Sequence, residues 1–189
     1  MARRARREAQ GAVHHAYARG NDRQDIFLDG SDRAVYLTLL GQVVKRHRWR
    51  CLAFCLMRNH VHLLVETPVE ILGAGIHRLH GLYAQSFNKR HGRCGHLFQE
   101  RFGSVPMESD AQVLEVARYI ARNPVAAGLC RDAADWSWSS HAAVLASAGP
   151  AWLDTARLLA YFGQDGGDPL RCYADFVGKR DSPRSGLRG

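Results

Sequence analysis

The chain has 189 residues, 46% hydrophobic and 23% charged, with a mean hydropathy of −0.29. That composition suits a globular domain with a sizeable core and excludes a disordered chain. No apolar run reaches membrane-spanning length, and the basic start Met1-Ala2-Arg3-Arg4-Ala5-Arg6-Arg7 is not followed by the apolar stretch of a secretory signal. The net charge of +8 is unevenly spread: residues 131–189 carry seven charges of each sign, so the whole excess lies in residues 1–130. A basic body beside a neutral C-terminal part predicts a polyanionic partner, nucleic acid first. An arginine-rich solvated surface is the bland alternative, since 23 of the 26 cations are Arg. Five cysteines (Cys51, Cys55, Cys94, Cys130, Cys172) form no Cys-x-x-Cys pair and read as reduced thiols in a cytoplasmic compartment. Cys94 lies near His91 and His96 but lacks a second ligand pair at zinc-finger spacing.

Residues 1–12 read as a flexible basic arm. A first strand is predicted over Val13 to Arg19, stopped by Gly20-Asn21-Asp22. Ser31 is the expected cap of a helix with Val35, Leu39, Leu40, Val43 and Val44 at helical spacing. Two apolar runs, Trp49 to Met57 and His60 to Glu66, are separated by Arg58-Asn59 and predict a hairpin. Residues 69–91 carry Leu72, Ile76, Leu79, Tyr83 and Phe87 along one side of a long helix with a basic end that includes Lys89 and Arg90. A short strand near Ser104 to Glu108 follows, then a helix capped by Asp110 and expected to stop at or just before Asn123, because Pro124 disfavours helical backbone in its predecessor. Ser139–Leu145, Asp154–Phe162 and Pro169–Val177 read as short helices. The order strand-helix-strand-strand-helix-strand predicts an α+β fold, the ferredoxin-like split βαβ arrangement with a central antiparallel sheet. The expected organisation is a domain over 13–130, a helical appendage over 131–179 packed on it and anchored by Trp136 and Trp138, and a loose tail over 180–189.

Two sets of residues could carry chemistry. In the strand His60-Val61-His62, period two puts both imidazoles on one face, where they could share a metal ion. Two polar-face histidines on a half-exposed strand are the alternative, although the neighbours Leu63, Leu64 and Val65 suggest a buried strand in which paired imidazoles need a partner. Tyr119 and Asn123 lie four apart on a helix and share a face, with Arg118 and Arg122 also four apart beside them. A phenol flanked by cations suits attack on a phosphate, and an amide oxygen is a hard ligand for Mg²⁺ or Mn²⁺. A core tyrosine and a C-cap asparagine are the alternative. Combined, His60, His62 and Asn123 could hold one divalent ion while Tyr119 attacks a phosphodiester. Tyr17, Tyr36 and Tyr83 are rival nucleophiles; Tyr83 sits among apolar residues and has only Phe87 four residues on. His96 and Arg101 are candidates for phosphate contacts or for an ordinary polar surface.

Several stretches, in order, resemble the REP-associated tyrosine transposases, a branch of the single-tyrosine HUH transposases. They are Arg19-Gly20-Asn21, the run from Cys55 to Val65, Phe87 to Gly92, Gly95 to Phe102, Tyr119 to Leu129, and Trp136 to Ser140, together spanning roughly residues 13–145. The resemblance implies a metal-dependent single-stranded DNA endonuclease and strand-transferase that works near palindromic hairpins through a 5′-phosphotyrosine intermediate. It implies Tyr119 as nucleophile, His60, His62 and Asn123 as ligands, and Mg²⁺ or Mn²⁺ as cofactor. Candidates for DNA contact are Arg3, Arg4, Arg6, Arg7, Arg19, Asn21, Lys89, Arg90, Arg101, Arg118 and Arg122. Single-stranded or hairpin DNA is the implied partner, with a monomer favoured over a dimer, no membrane and no small-molecule substrate, at the bacterial nucleoid. Arg58 departs from the proline such proteins often carry there. A domesticated DNA-binding protein that does not cut, or a replication-initiator or relaxase relative, are the competing readings.

Overall fold

The computed structural model describes residues 11–67, 72–163 and 166–179. The arm arginines Arg3, Arg4, Arg6 and Arg7, the tail over 180–189 and the expected start of the long helix at 69–71 lie outside the described residues. The elements follow the predicted order: β1 (Ala12–Arg19), α1 (Gly30–His47), β2 (Arg50–Leu56), β3 (His60–Thr67), α2 (Leu72–His91), β4 (Gly103–Pro106) and α3 (Asp110–Ala126). After these come α4 (Ser140–Leu145), α5 (Thr155–Leu159) and α6 (Pro169–Gly178). The four strands form an antiparallel sheet in the order β2-β3-β1-β4, the ferredoxin-like arrangement the sequence predicts. No helix among the described residues is long and apolar enough to cross a membrane.

Alternation along the strands builds two cores. Val61, Leu63 and Val65 of β3, with Ala16 and Ala18 of β1, pack under α1 and α2 against Tyr36, Leu40, Leu79 and Phe87. Leu64, Val13 and Cys55 face the other way, toward Val113, Ala117 and Ile120 of α3 and Val144, Leu158, Tyr173 and Val177 of the C-terminal helices. The sheet is thus a middle layer with apolar side chains on both faces, and the polar histidines of β3 emerge on the α3 side. The C-terminal segment also closes the outer edge of β2: Leu56 N donates to Trp138 O (2.9 Å) and Asp154 N to Cys51 O (2.8 Å). Trp136 Nε1 donates to Leu56 O (3.2 Å), and Ser140 Oγ accepts from Phe54 N (3.0 Å).

The β2–β3 turn is fastened despite its arginine. Arg58 pairs with Asp25 (2.7 Å), Asn59 Nδ2 donates to Arg23 O (3.0 Å), and Met57 N donates to His60 O (2.9 Å).

Three local expectations are corrected. Helix α1 is capped by Asp29, whose Oδ1 accepts from Asp32 N (3.0 Å), so Ser31 already lies inside it. Helix α3 is capped by Ser109, whose Oγ accepts from Gln112 N (3.3 Å), not by Asp110. Pro124 does not end α3, which continues to Ala126. A proline so near the end forfeits one intrahelical bond, and a Schellman cap satisfies the last carbonyls: Gly128 N, in the left-handed region at φ 70°, donates to Val125 O (3.0 Å), and Leu129 N donates to Pro124 O (2.9 Å). Buried Ile120, Ala121 and Pro124 hold that last turn against the sheet.

Candidate active site

β3 opens with His60, and period two carries His62 to the same face. Helix α3 lays its last two turns across that face, bringing Tyr119 and Asn123 to the imidazoles. His60 Nε2 lies 3.2 Å from Asn123 Oδ1, and Asn123 Nδ2 lies 3.4 Å from His62 Nε2. The Tyr119 ring stands edge-on to His62, 5.3 Å between centroids at 82°, and is 51% exposed. His60 and His62 are themselves T-shaped at 5.0 Å. All four residues expected at the site are therefore brought together, with a half-exposed phenol above three buried or part-buried polar groups.

A fifth residue joins them that the sequence reasoning did not select. β1 runs beside β3 with Tyr17 opposite His62, so His15 sits one diagonal step away on the same face. His15 Nε2 lies 2.9 Å from His62 Nδ1, the two rings stack at 5.1 Å, and His15 meets the Tyr119 ring edge at 5.9 Å. Alternation along Val13 to Arg19 would have placed His15, Tyr17 and Arg19 on one face, but the pairing with β3 is not written locally.

Burial disfavours the charged form of these imidazoles. Desolvation pushes His15 down to about 4. Desolvation, then the neighbouring His15, His60 and Arg19, push His62 down to about 2. His60 is lowered by desolvation, partly offset by its contact with Asn123.

Beside the pair opens a cleft of about 560 Å³ lined by Tyr17, Arg19, His60, His62 and the 99–104 segment, including Glu100, Arg101 and Phe102. Arg19 and Arg101 thus line the same cleft as the histidines. Asn21 is not part of that lining; its backbone N–H donates to Leu97 O (2.9 Å). Lys89 and His96 are exposed.

Other expected cations have different partners. Arg90 forks onto Asp29 (2.8 and 2.6 Å) and also binds Asp32, tying the end of α2 to the start of α1. His91 bonds Asp32 as well (2.9 Å), which removes it from any grouping with Cys94. Arg118 donates to Lys179 O and lies over the Phe176 ring, and Arg122 donates to Val177 O (3.1 Å). Both guanidiniums hold the carboxyl end of α6, where the helix dipole favours cations, instead of flanking Tyr119. Of the rival tyrosines, Tyr83 and Tyr36 are buried, bonded to Ile26 O and His80 Nε2, and raised by desolvation. Tyr17 is 43% exposed and lies in the cleft, 6.3 Å from His62.

The donor set fits a divalent cation. Among the described residues no group of three or more His, Cys, Asp or Glu side chains could hold a metal ion, so the candidate set is two imidazoles and an amide. Asn59 Nδ2 is spent on Arg23 O, so Asn59 Oδ1 accepts from His60 Nδ1 (2.7 Å). Neutral His60 then has only a lone pair at Nε2, and this faces the Asn123 carbonyl oxygen. Turning the amide round moves the same conflict to His62, as long as His62 carries its proton on Nδ1. Two acceptors facing one another at hydrogen-bond distance are what a cation between them reconciles.

One solved structure shares this architecture. A REP-associated tyrosine transposase solved bound to a REP hairpin superposes with a TM-score of 0.65 at 18% identity, spanning 79% of this chain and 89% of that one, and so shares the fold. A crystal structure of a transposase candidate from Deinococcus radiodurans R1 gives 0.45 at 16% identity, over 63% of this chain and 95% of that one. No curated protein matches the chain. The sequence model of IS200-like transposases matches residues 10–123, more than half of the chain. The protein belongs to the IS200-like transposase family.

Proposed function

We propose that the protein is a Mg²⁺- or Mn²⁺-dependent strand-transferase of the REP-associated tyrosine branch, cutting and rejoining single-stranded DNA near palindromic hairpins. The observation that carries this reading is the half-exposed Tyr119 phenol over His62, one helical turn from an amide that touches both His60 and His62. Tyr119 Oη attacks the scissile phosphorus and forms a new P–O bond to the 5′ side. The 3′ oxygen leaves and takes up the proton that the phenol gives up, so the products are a 5′-phosphotyrosine and a free 3′-hydroxyl. Attack by another 3′-hydroxyl reverses the step and seals a new joint, with the phosphodiester conserved throughout. His60, His62 and Asn123 would hold the cation, which supplies Lewis-acid polarisation of the phosphate oxygens. Arg19 and Arg101 meet phosphates along the cleft, and Tyr17 and Phe102 offer aromatic faces to unpaired bases. The REP hairpin held by the structural relative makes a hairpin the first DNA to try here.

The test is a covalent-adduct gel. Labelled single-stranded hairpin oligonucleotides are mixed with the protein and Mn²⁺ and then denatured. Wild type and Tyr17→Phe are expected to give a slow-migrating adduct, and Tyr119→Phe or added chelator to give none. An adduct that survives Tyr119→Phe and vanishes with Tyr17→Phe moves the nucleophile to β1. Binding across a broad panel with no adduct makes the protein a DNA binder that does not cut.

A further inference from the structure

We propose that His15 is a positioning residue of the cation site: its Nε2 accepts the Nδ1 proton of His62 and thereby aims the Nε2 lone pair of His62 at the site. This rests on the reading that His60, His62 and Asn123 hold a divalent ion.

The argument is one of proton bookkeeping around a closed chain of contacts. A neutral imidazole carries one proton, and the partner at one nitrogen decides what the other can do. For His60 the matter is settled by Asn59, whose Nδ2 donates to Arg23 O and whose Oδ1, facing His60 Nδ1, can only accept. For His62 the contact at Nδ1 is His15 Nε2, 2.9 Å away. With the proton on His62 Nδ1, shared with His15, both Nε2 atoms present lone pairs and the Asn123 amide can satisfy only one of them. The site is then open and demands a cation.

The other arrangement needs no ion. With the proton on His62 Nε2, a reversed Asn123 amide would accept from His62 and donate to His60, and every polar atom of the trio would be paired. The direction of the 2.9 Å contact from β1 therefore distinguishes the two: with His15 Nε2 accepting, the cation site is open, and with it donating, the site satisfies itself. The His15 ring is held for that task by stacking on His62, by the Tyr119 edge, and by Tyr17 at 5.4 Å. It acts through His62 and is not itself a ligand in this arrangement, since its Nε2 is already bonded to His62 Nδ1.

Two measurements test this. Histidine ¹⁵N NMR of the metal-free protein reads which nitrogen of His62 is protonated, independently of any activity. The expected result is Nδ1–H in wild type and a shift toward Nε2–H in His15→Phe, which keeps a ring but offers no acceptor. Titration with Mn²⁺ alone, followed by electron paramagnetic resonance, is expected to show affinity weakened about 10–100-fold in His15→Phe, as for other groups that orient a metal ligand. His15→Gln, whose amide oxygen can accept the same proton, is expected to recover most of the loss. Should His15→Phe not fold, His15→Met carries the same comparison. The proposal is overturned if wild-type His62 is protonated on Nε2, or if removing the acceptor leaves its tautomer on Nδ1. If the tautomer moves as expected but wild type binds no Mn²⁺, His15 still sets the tautomer of His62, but the cation reading fails and the positioning role is overturned with it.

Discussion

Asn123 Oδ1 stands 3.2 Å from His60 Nε2, a contact between α3 and the first residue of β3 that joins positions 63 apart in the chain. Asn123 reaches both imidazoles from the helix side, so in the proposed cation site its chemistry would set what is attracted. Asn123→Asp adds a full negative charge to the donor set and is expected to tighten Mn²⁺ binding about tenfold, while Asn123→Ala is expected to weaken it. Calorimetric titration decides, and equal affinities in all three proteins would remove Asn123 from the ligand set.

The metal-free protein is expected to lose stability as pH falls. His15, His80 and His62 are pushed down to about 4, 3 and 2, in each case first by desolvation, whereas unfolded histidine titrates near 6.5. Between those limits the unfolded chain binds more protons than the folded one. The stabilisation is therefore complete above about pH 6.5 and is lost progressively as pH falls toward the folded values, at about 1.4 kcal/mol per pH unit for each proton. Urea midpoints between pH 7 and 4 measure this. His80→Leu, which removes the partner of the Tyr36 hydroxyl, should be less stable at pH 7 and show a shallower acid slope.

Residues 131–179 are expected to be indispensable to folding. They bond the outer edge of β2 and bury Val144, Leu158, Tyr173 and Val177 on the α3 side of the sheet. Four such side chains are worth about 6–12 kcal/mol, comparable to the whole stability of an ordinary domain. A chain ending at Cys130 should show no cooperative thermal transition and should aggregate through the uncovered strand. A sharp transition in that truncation would mean the sheet and α3 suffice.

Gly75→Ala sets propensity against packing inside α2. Alanine gains about 1 kcal/mol in a helix interior, but a Cβ at position 75 would sit 2.2 Å from Trp49 Cζ2 and 2.4 Å from Cη2. The indole is buried and overpacking typically costs about 1–3 kcal/mol or more, so net destabilisation is expected in urea unfolding. A stabilised variant would show that the Trp49 ring is free to move.

Each half of the site, His60 with His62 and Tyr119 with Asn123, was legible from a local period, whereas the sheet order followed from the order of elements and the meeting of the two halves from the family resemblance. Two-residue alternation put the histidines on one face, and the four-residue helical step put tyrosine and asparagine on another. What was not legible depends on contacts between distant segments. His15 becomes a neighbour of His62 only through the register of β1 on β3. Arg90, Arg118 and Arg122 read as DNA-facing cations because nothing near them in sequence announces Asp29 and Asp32, or the end of α6. Pro124 read as a helix stop because its local penalty is visible in sequence, whereas the Gly128 cap and the buried last turn that offset it are tertiary facts.

Tyr119 and Asn123 ride one turn apart on the same continuous helix, Asp110–Ala126. On the proposed mechanism, any swing of α3 that carried a tyrosine-linked DNA end away from the sheet would also withdraw the amide from both histidines. Transport of the cut strand and loosening of the ion would then be a single mechanical event, and keeping the ion in place would require the DNA to move past a stationary helix.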